Sequence, residues 1–143
     1  MDKLLLENQL CFPLYVASKE IVRLYTPYLD KVDLTYTQYI TMMVMWEVKE
    51  INVKELGKRL FLDSGTLTPL LKKLEAKGFV ERNRLSTDER NLIVKITKEG
   101  VSLKDKCKDI PTCVAGCVNL KSEEMKNLYN TLYKILGNIK EDK

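Results

Sequence analysis

Leu62-Asp63-Ser64-Gly65-Thr66-Leu67-Thr68-Pro69-Leu70-Leu71-Lys72-Lys73-Leu74-Glu75, residues 62–75, is the stretch on which the fold turns. Asp63 and Ser64 are N-cap residue types, and Leu67, Leu70, Leu71 and Leu74 recur at helical spacing on one face. Gly78 supplies the stop. Pro69 removes one backbone bond from this helix, so a start nearer Thr68 competes with a start at Ser64.

Upstream, Asn52-Val53-Lys54-Glu55 repeats the cap signal before Leu56 and Leu60, which predicts a short helix over about 53–60. Thr35-Tyr36-Thr37-Gln38 is a capping box opening a helix over about 36–48, with apolar Tyr39, Ile40, Met43, Val44 and Trp46. Downstream, Phe79–Arg82 and Leu92–Ile96 read as two strands joined by the polar stretch 85–90, a hairpin with a charged tip. Helix, short helix, helix, hairpin is the order of a winged helix-turn-helix, whose second paired helix enters the major groove of DNA. The expected class is therefore mainly α with a small β-hairpin wing.

The flanks, about 5–29 and 98–140, also read as helical. Leu14, Ile21, Leu24 and Tyr25 stripe the first; Thr97 caps one late helix, and Ser122 opens another carrying Leu128, Leu132 and Ile135. Long helices outside a small core need a surface to pack on, which a second copy's equivalents would supply. The expected layout is one domain over 1–143, with a DNA-reading core at 33–97 and a helical dimerisation region at 1–32 and 98–143.

With 143 residues, 45% of them apolar and 31% charged, the chain can bury one ordinary core. No apolar run reaches the roughly 20 residues a bilayer span needs, and the N-terminus has no signal-peptide character, so a cytoplasmic protein without membrane contact is expected. The four cysteines, Cys11, Cys107, Cys113 and Cys117, fit no secreted disulfide framework and read as reduced thiols. Histidine is absent, which removes Ser-His-Asp and Cys-His catalysis and His-ligated metals. The cysteine spacings offer no Cys-x-x-Cys knuckle, so neither metal nor cofactor is expected. Residues 54–95 hold ten basic against six acidic side chains, so the whole net charge of +4 falls on the segment that would meet a polyanion.

The residues placed to read DNA are Asp63, Ser64, Thr66 and Thr68 at the helix start, Lys72 and Lys73 along it, and Arg82, Arg84, Asp88 and Arg90 in the hairpin. Arg90 at the tip is the type that enters a narrow minor groove, with Asp88 able to orient it. A capped helix with a solvated face is the plainer alternative for the same residues.

These stretches, together with Gly57, Gly78-Phe79-Val80 and Asp88-Glu89-Arg90, resemble the MarR family, and the 62–75 block is similar to its organic hydroperoxide branch, OhrR. The resemblance extends to Glu7-Asn8-Gln9-Leu10-Cys11-Phe12, to Tyr15 and Tyr25, and to Leu34–Tyr39. It implies an obligate homodimer on an inverted-repeat operator, with organic hydroperoxide oxidising Cys11 while Tyr25 and Tyr36 of the other subunit hydrogen-bond it. A thiolate is the species that attacks a peroxide, and donated phenolic bonds at a helix N-terminus would stabilise it. Alone, a cysteine is more often a small buried residue, and tyrosines at helical spacing are usually core; the motif around these reverses that weight.

Pro13 departs from the family's pattern and implies that the first helix is kinked there or starts late. Some family members carry a resolving cysteine near the C-terminus. Cys113 and Cys117 would share a helix face, and Cys117 is expected to resolve oxidised Cys11, with Cys113 or an external thiol as alternatives. Other functions to weigh are a MarR-type regulator answering a small aromatic ligand and a thiol peroxidase turning over peroxide; a repressor, not an enzyme, is the expectation.

Overall fold

The structure is a computed structural model that describes residues 2–84 and 92–141. It falls into two compact units, Met1–Ile110 and Pro111–Lys143.

In the first unit a 3-10 turn, Leu6–Asn8, precedes α1 (Cys11–Asp30). The helix thus starts late, with Pro13 in its first turn, where a backbone N–H has no helical partner to lose. α2 (Tyr36–Val48) opens on the expected capping box: Gln38 N–H donates to Thr35 Oγ1 at 3.3 Å, and Thr35 N–H donates to Gln38 Oε1 at 3.1 Å. β1 (Glu50–Asn52), α3 (Val53–Leu60) and α4 (Ser64–Ala76) follow, then β2 (Val80–Arg84), β3 (Leu92–Ile96) and α5 (Lys98–Cys107). α4 begins at Ser64, so the later start that Pro69 suggested is overturned: Asp63 caps it, accepting the Thr66 N–H at 2.8 Å.

The sheet is antiparallel with order β1-β3-β2, and β1 is a strand the sequence pattern did not reveal. Ile51 pairs with Val94, and Arg82 pairs with Val94 from the other side. The hairpin is therefore anchored to the segment that leads into α3. Met42, Met45, Leu56, Leu67, Leu71, Leu74, Val80 and Val94 form the buried core under the helix-turn-helix. Trp46 closes it by donating Nε1–H to the Gly100 carbonyl at 2.8 Å. Gly57 is needed where α3 meets the turn, since a Cβ there would lie 2.8 Å from the Leu62 carbonyl oxygen.

The second unit holds most of α6 (Ile110–Val118) and all of α7 (Ser122–Glu141). Between the two late helices expected from Thr97 and Ser122 lies a third, α6, because Pro111 suits the first turn of a new helix and Asn119, at φ 53, ends it. Along α7, Leu128, Tyr129, Tyr133, Leu136 and Ile139 are exposed.

Candidate DNA-reading and thiol-sensing sites

α3 and α4 both end in a Schellman motif. At α4 the N–H of Phe79 donates to Leu74 O at 3.1 Å and that of Gly78 to Glu75 O at 2.9 Å, with Gly78 left-handed at φ 85. At α3 the N–H of Leu62 donates to Gly57 O at 3.0 Å and that of Phe61 to Lys58 O at 3.4 Å, with Phe61 left-handed at φ 56. That turn delivers the chain to Asp63 and the start of α4.

Ser64, Gly65 and Thr66 are exposed in the first turn of α4, Thr68 is half-buried, and Lys72 and Lys73 are exposed about two turns on. The buried stripe Leu67, Leu70, Leu71 and Leu74 points the opposite face into the core. Asp63 is committed to the cap: the Thr66 backbone and side-chain bonds hold its carboxyl below the usual aspartate range. Its role is to shape the helix start.

Arg82 is engaged by a residue the sequence did not suggest. Glu75 Oε2 accepts the Arg82 backbone N–H at 3.0 Å, and Oε1 accepts Nε–H at 3.2 Å and Nη2–H at 3.0 Å. These bonds clamp β2 to α4 and hold the Glu75 carboxyl below the usual glutamate range, the backbone bond foremost. Arg84 ends β2, while Asp88 and Arg90 lie outside the described residues.

The cysteine and the tyrosines of the expected sensing site stand at opposite ends of α1. Cys11 is exposed as its first residue; Tyr25 lies 14 residues on, about 21 Å along the axis at 1.5 Å per residue. Within one chain they do not meet. Tyr25 and Tyr36 do meet, with ring centroids 4.9 Å apart at 61°, and both also neighbour Tyr39, at 5.7 and 6.3 Å.

Burial raises the phenol pKa of Tyr25, and burial followed by the neighbouring Tyr25 raises that of Tyr36. Tyr39 is pushed up to about 12, mainly by burial. The cluster thus keeps its phenols protonated, as donors, throughout the neutral range. Tyr39, treated in the sequence as core, is its buried floor.

A bracket links this cluster to α4. Lys77, the C-cap of α4, donates Nζ–H to Gln38 Oε1 at 3.0 Å and to the Asp33 backbone carbonyl, with Asp33 Oδ2 at 3.7 Å. Gln38 is only 3% exposed and belongs to the same box that starts α2 beside Tyr36.

Of the other cysteines, Cys107 is buried and its thiol is pushed up by desolvation. Cys113 and Cys117 are exposed, one turn apart on α6. Among the described residues no cluster of three His, Cys, Asp or Glu is placed to hold a metal ion, and no helix is long and apolar enough to cross a membrane.

The model of the family described as transcriptional regulator SarA/Rot matches residues 23–107. The organic hydroperoxide resistance transcriptional regulator of Bacillus subtilis strain 168 is 44% identical over 135 residues, 94% of this chain and 92% of that protein. The HTH-type transcriptional regulator SarZ of Staphylococcus haemolyticus is 50% identical over 133 residues, 93% and 90% of the two chains. Reduced AbfR bound to DNA superposes with TM-score 0.76 at 33% identity, covering 94% of both chains. A disulfide form of AbfR matches with TM-score 0.65 at 32% identity, covering 92% of each. Fold order, family match and sequence similarity agree, and the chain belongs to the MarR-type winged-helix transcriptional regulators, in the SarA/Rot group that is related to the organic hydroperoxide resistance regulator.

Proposed function

We propose that this protein is a homodimeric repressor that binds an inverted-repeat operator when reduced and releases it when an organic hydroperoxide oxidises Cys11. The observation that carries the reading is the division of the sensing residues along α1. An exposed thiol begins the helix, and a cluster of protonated phenols surrounds its far end. A second α1 running antiparallel would bring the thiol of one subunit to Tyr25 and Tyr36 of the other. Exposed Phe12, Leu14, Ile21 and Val22 on α1, and separately the exposed apolar residues of α7, support a second copy as the partner.

The Cys11 thiolate attacks the outer oxygen of the hydroperoxide, the O–O bond breaks, and the alcohol leaves after taking up a proton. Sulfur is oxidised by two electrons to the sulfenic acid as the peroxide is reduced. A second thiol then displaces water to form a disulfide. We assign that role to exposed Cys117 of the partner subunit, and the known disulfide form of AbfR supports this chemistry. No cofactor takes part, and one oxidation per site switches the protein, which separates it from a peroxidase.

On the DNA side, Ser64, Thr66, Thr68, Lys72 and Lys73 of α4 meet the major groove, capped by Asp63. The wing, with Arg84, Asp88 and Arg90, meets the adjoining minor groove, while Arg82 ties its base to α4 through Glu75. Residues 33–97 form the reading module, 1–32 and 98–143 the dimerisation region, and the protein works in the cytoplasm, where its operator is. The similarity to AbfR, solved on DNA, supports this arrangement.

The test is DNA binding by reduced and cumene hydroperoxide-treated protein. Wild type is expected to lose affinity on treatment, and Cys11→Ser to bind equally before and after. A Cys11→Ser protein that still releases DNA in response to peroxide would overturn the assignment.

A further inference from the structure

We infer that Phe61 is a DNA-contacting residue, its ring held against the deoxyribose edge of the operator just ahead of the reading helix. The inference rests on the operator-binding reading above. Phe61 fills the left-handed position of the α3 Schellman motif, where the α4 motif has Gly78. A left-handed backbone crowds any Cβ, and among side chains only Asn and Asp occupy it readily.

Four non-glycine residues have positive φ among those described. Asp33 and Asn119 are of the tolerant types, Lys49 is polar, and Phe61 alone is aromatic. The fold covers less than half of the residue in return, leaving it 57% exposed. The apolar contact that usually accompanies this motif belongs to the following residue, Leu62, which is the more sheltered of the two.

A strained backbone and an exposed aromatic ring at one residue, both unfavourable in the free chain, point to a partner met outside it. Phe61 lies two residues before the Asp63 cap, at the end of α4 that carries exposed Ser64 and Thr66. With that end in the major groove, a ring set ahead of the cap falls outside the reach of the base edges read by the helix and meets the backbone wall, whose apolar surface is deoxyribose. The ring would add a salt-independent contact to a surface otherwise built from hydroxyls and lysines.

The experiment uses reduced protein and a fluorescent inverted-repeat duplex selected by the wild type from a random library, titrated at several salt concentrations. Phe61→Asn relieves the backbone and is expected to melt no lower than wild type. It should bind about 5–20-fold more weakly, the loss appropriate to a partly buried ring. The slope of log K against log salt stays unchanged because no phosphate contact is removed. Phe61→Tyr restores binding to within about twofold.

Phe61→Asn binding within twofold of wild type overturns the inference, as does a loss that Phe61→Tyr shares. Should Phe61→Asn melt lower, Phe61→Gly, which suits the backbone best, decides by the same two criteria. A wild type that selects no duplex would instead sink the operator-binding reading itself.

Discussion

Replacing Glu75 with Gln loosens the clamp between β2 and α4, and its cost can be worked from three bonds. Glu75 Oε2 holds a backbone N–H at 3.0 Å while Oε1 holds two guanidinium donors at 3.2 and 3.0 Å. An amide at that position must turn its NH2 group toward one set of donors, so at least one bond is lost and a charge-assisted one weakened. A hydrogen bond to a charged group contributes about 1.5–3 kcal/mol when buried, but an exposed ion pair only about 0–1.

With side chains 18% exposed for Arg82 and 38% for Glu75, the pair lies between these limits, and about 1–2 kcal/mol is expected after solvent screening. For a chain of this length that is about 3–8 °C in Tm. Because Glu75 binds its proton more weakly in the folded protein than in the unfolded chain, the clamp is at full strength at neutral pH. It weakens as pH falls below about 4.3, the unfolded value, and is gone below the folded one.

Thermal melts of both proteins from pH 7 to pH 3.5 should show a gap that narrows with acid, wild type falling toward the variant. A gap as wide at pH 3.5 as at pH 7, or none at pH 7, would refute the reasoning.

Tyr36→Phe and Tyr25→Phe should each slow oxidation by organic hydroperoxide about 10–150-fold, the loss of one hydrogen bond to a charged group, while Tm barely moves because the rings still pack. Stopped-flow release of labelled DNA measures it, and a full-speed double variant would remove both tyrosines from the site. Cys107 should resist iodoacetamide in the native protein and react only on unfolding, since its thiol is buried and pushed up by desolvation. Peptide mass mapping in native buffer reads this out, and rapid labelling of Cys107 there would contradict its burial.

The helices were legible wherever their signals were local. Thr35 and Gln38 form the box their spacing announced, Asn52, Asp63 and Thr97 each cap a helix, and Gly78 stops α4. β1 was not legible, because three residues carry no periodicity and its partners in β3 lie more than 40 positions away. Phe61 gave no sign of its backbone, since an αL position without Gly or Asn has no residue-type marker. Arg82 read as a free cation because Glu75 stands seven residues away across a helix end, a proximity that only the fold creates. The pairing of Cys11 with the tyrosines was carried by resemblance alone; the periodicity of α1 separates them.

That separation makes each proposed sensing centre the joint product of two polypeptides, and so of two alleles when both are expressed. A subunit bearing Cys11→Ser still lends its tyrosines to a neighbour, and one bearing both Tyr25→Phe and Tyr36→Phe still lends its thiol. Each variant alone assembles into dimers with no working centre. Mixed in one cell, half their dimers pair unlike subunits if exchange is random. Each such heterodimer has one centre complete and the other missing both thiol and phenols, so two null alleles would restore peroxide response to each other.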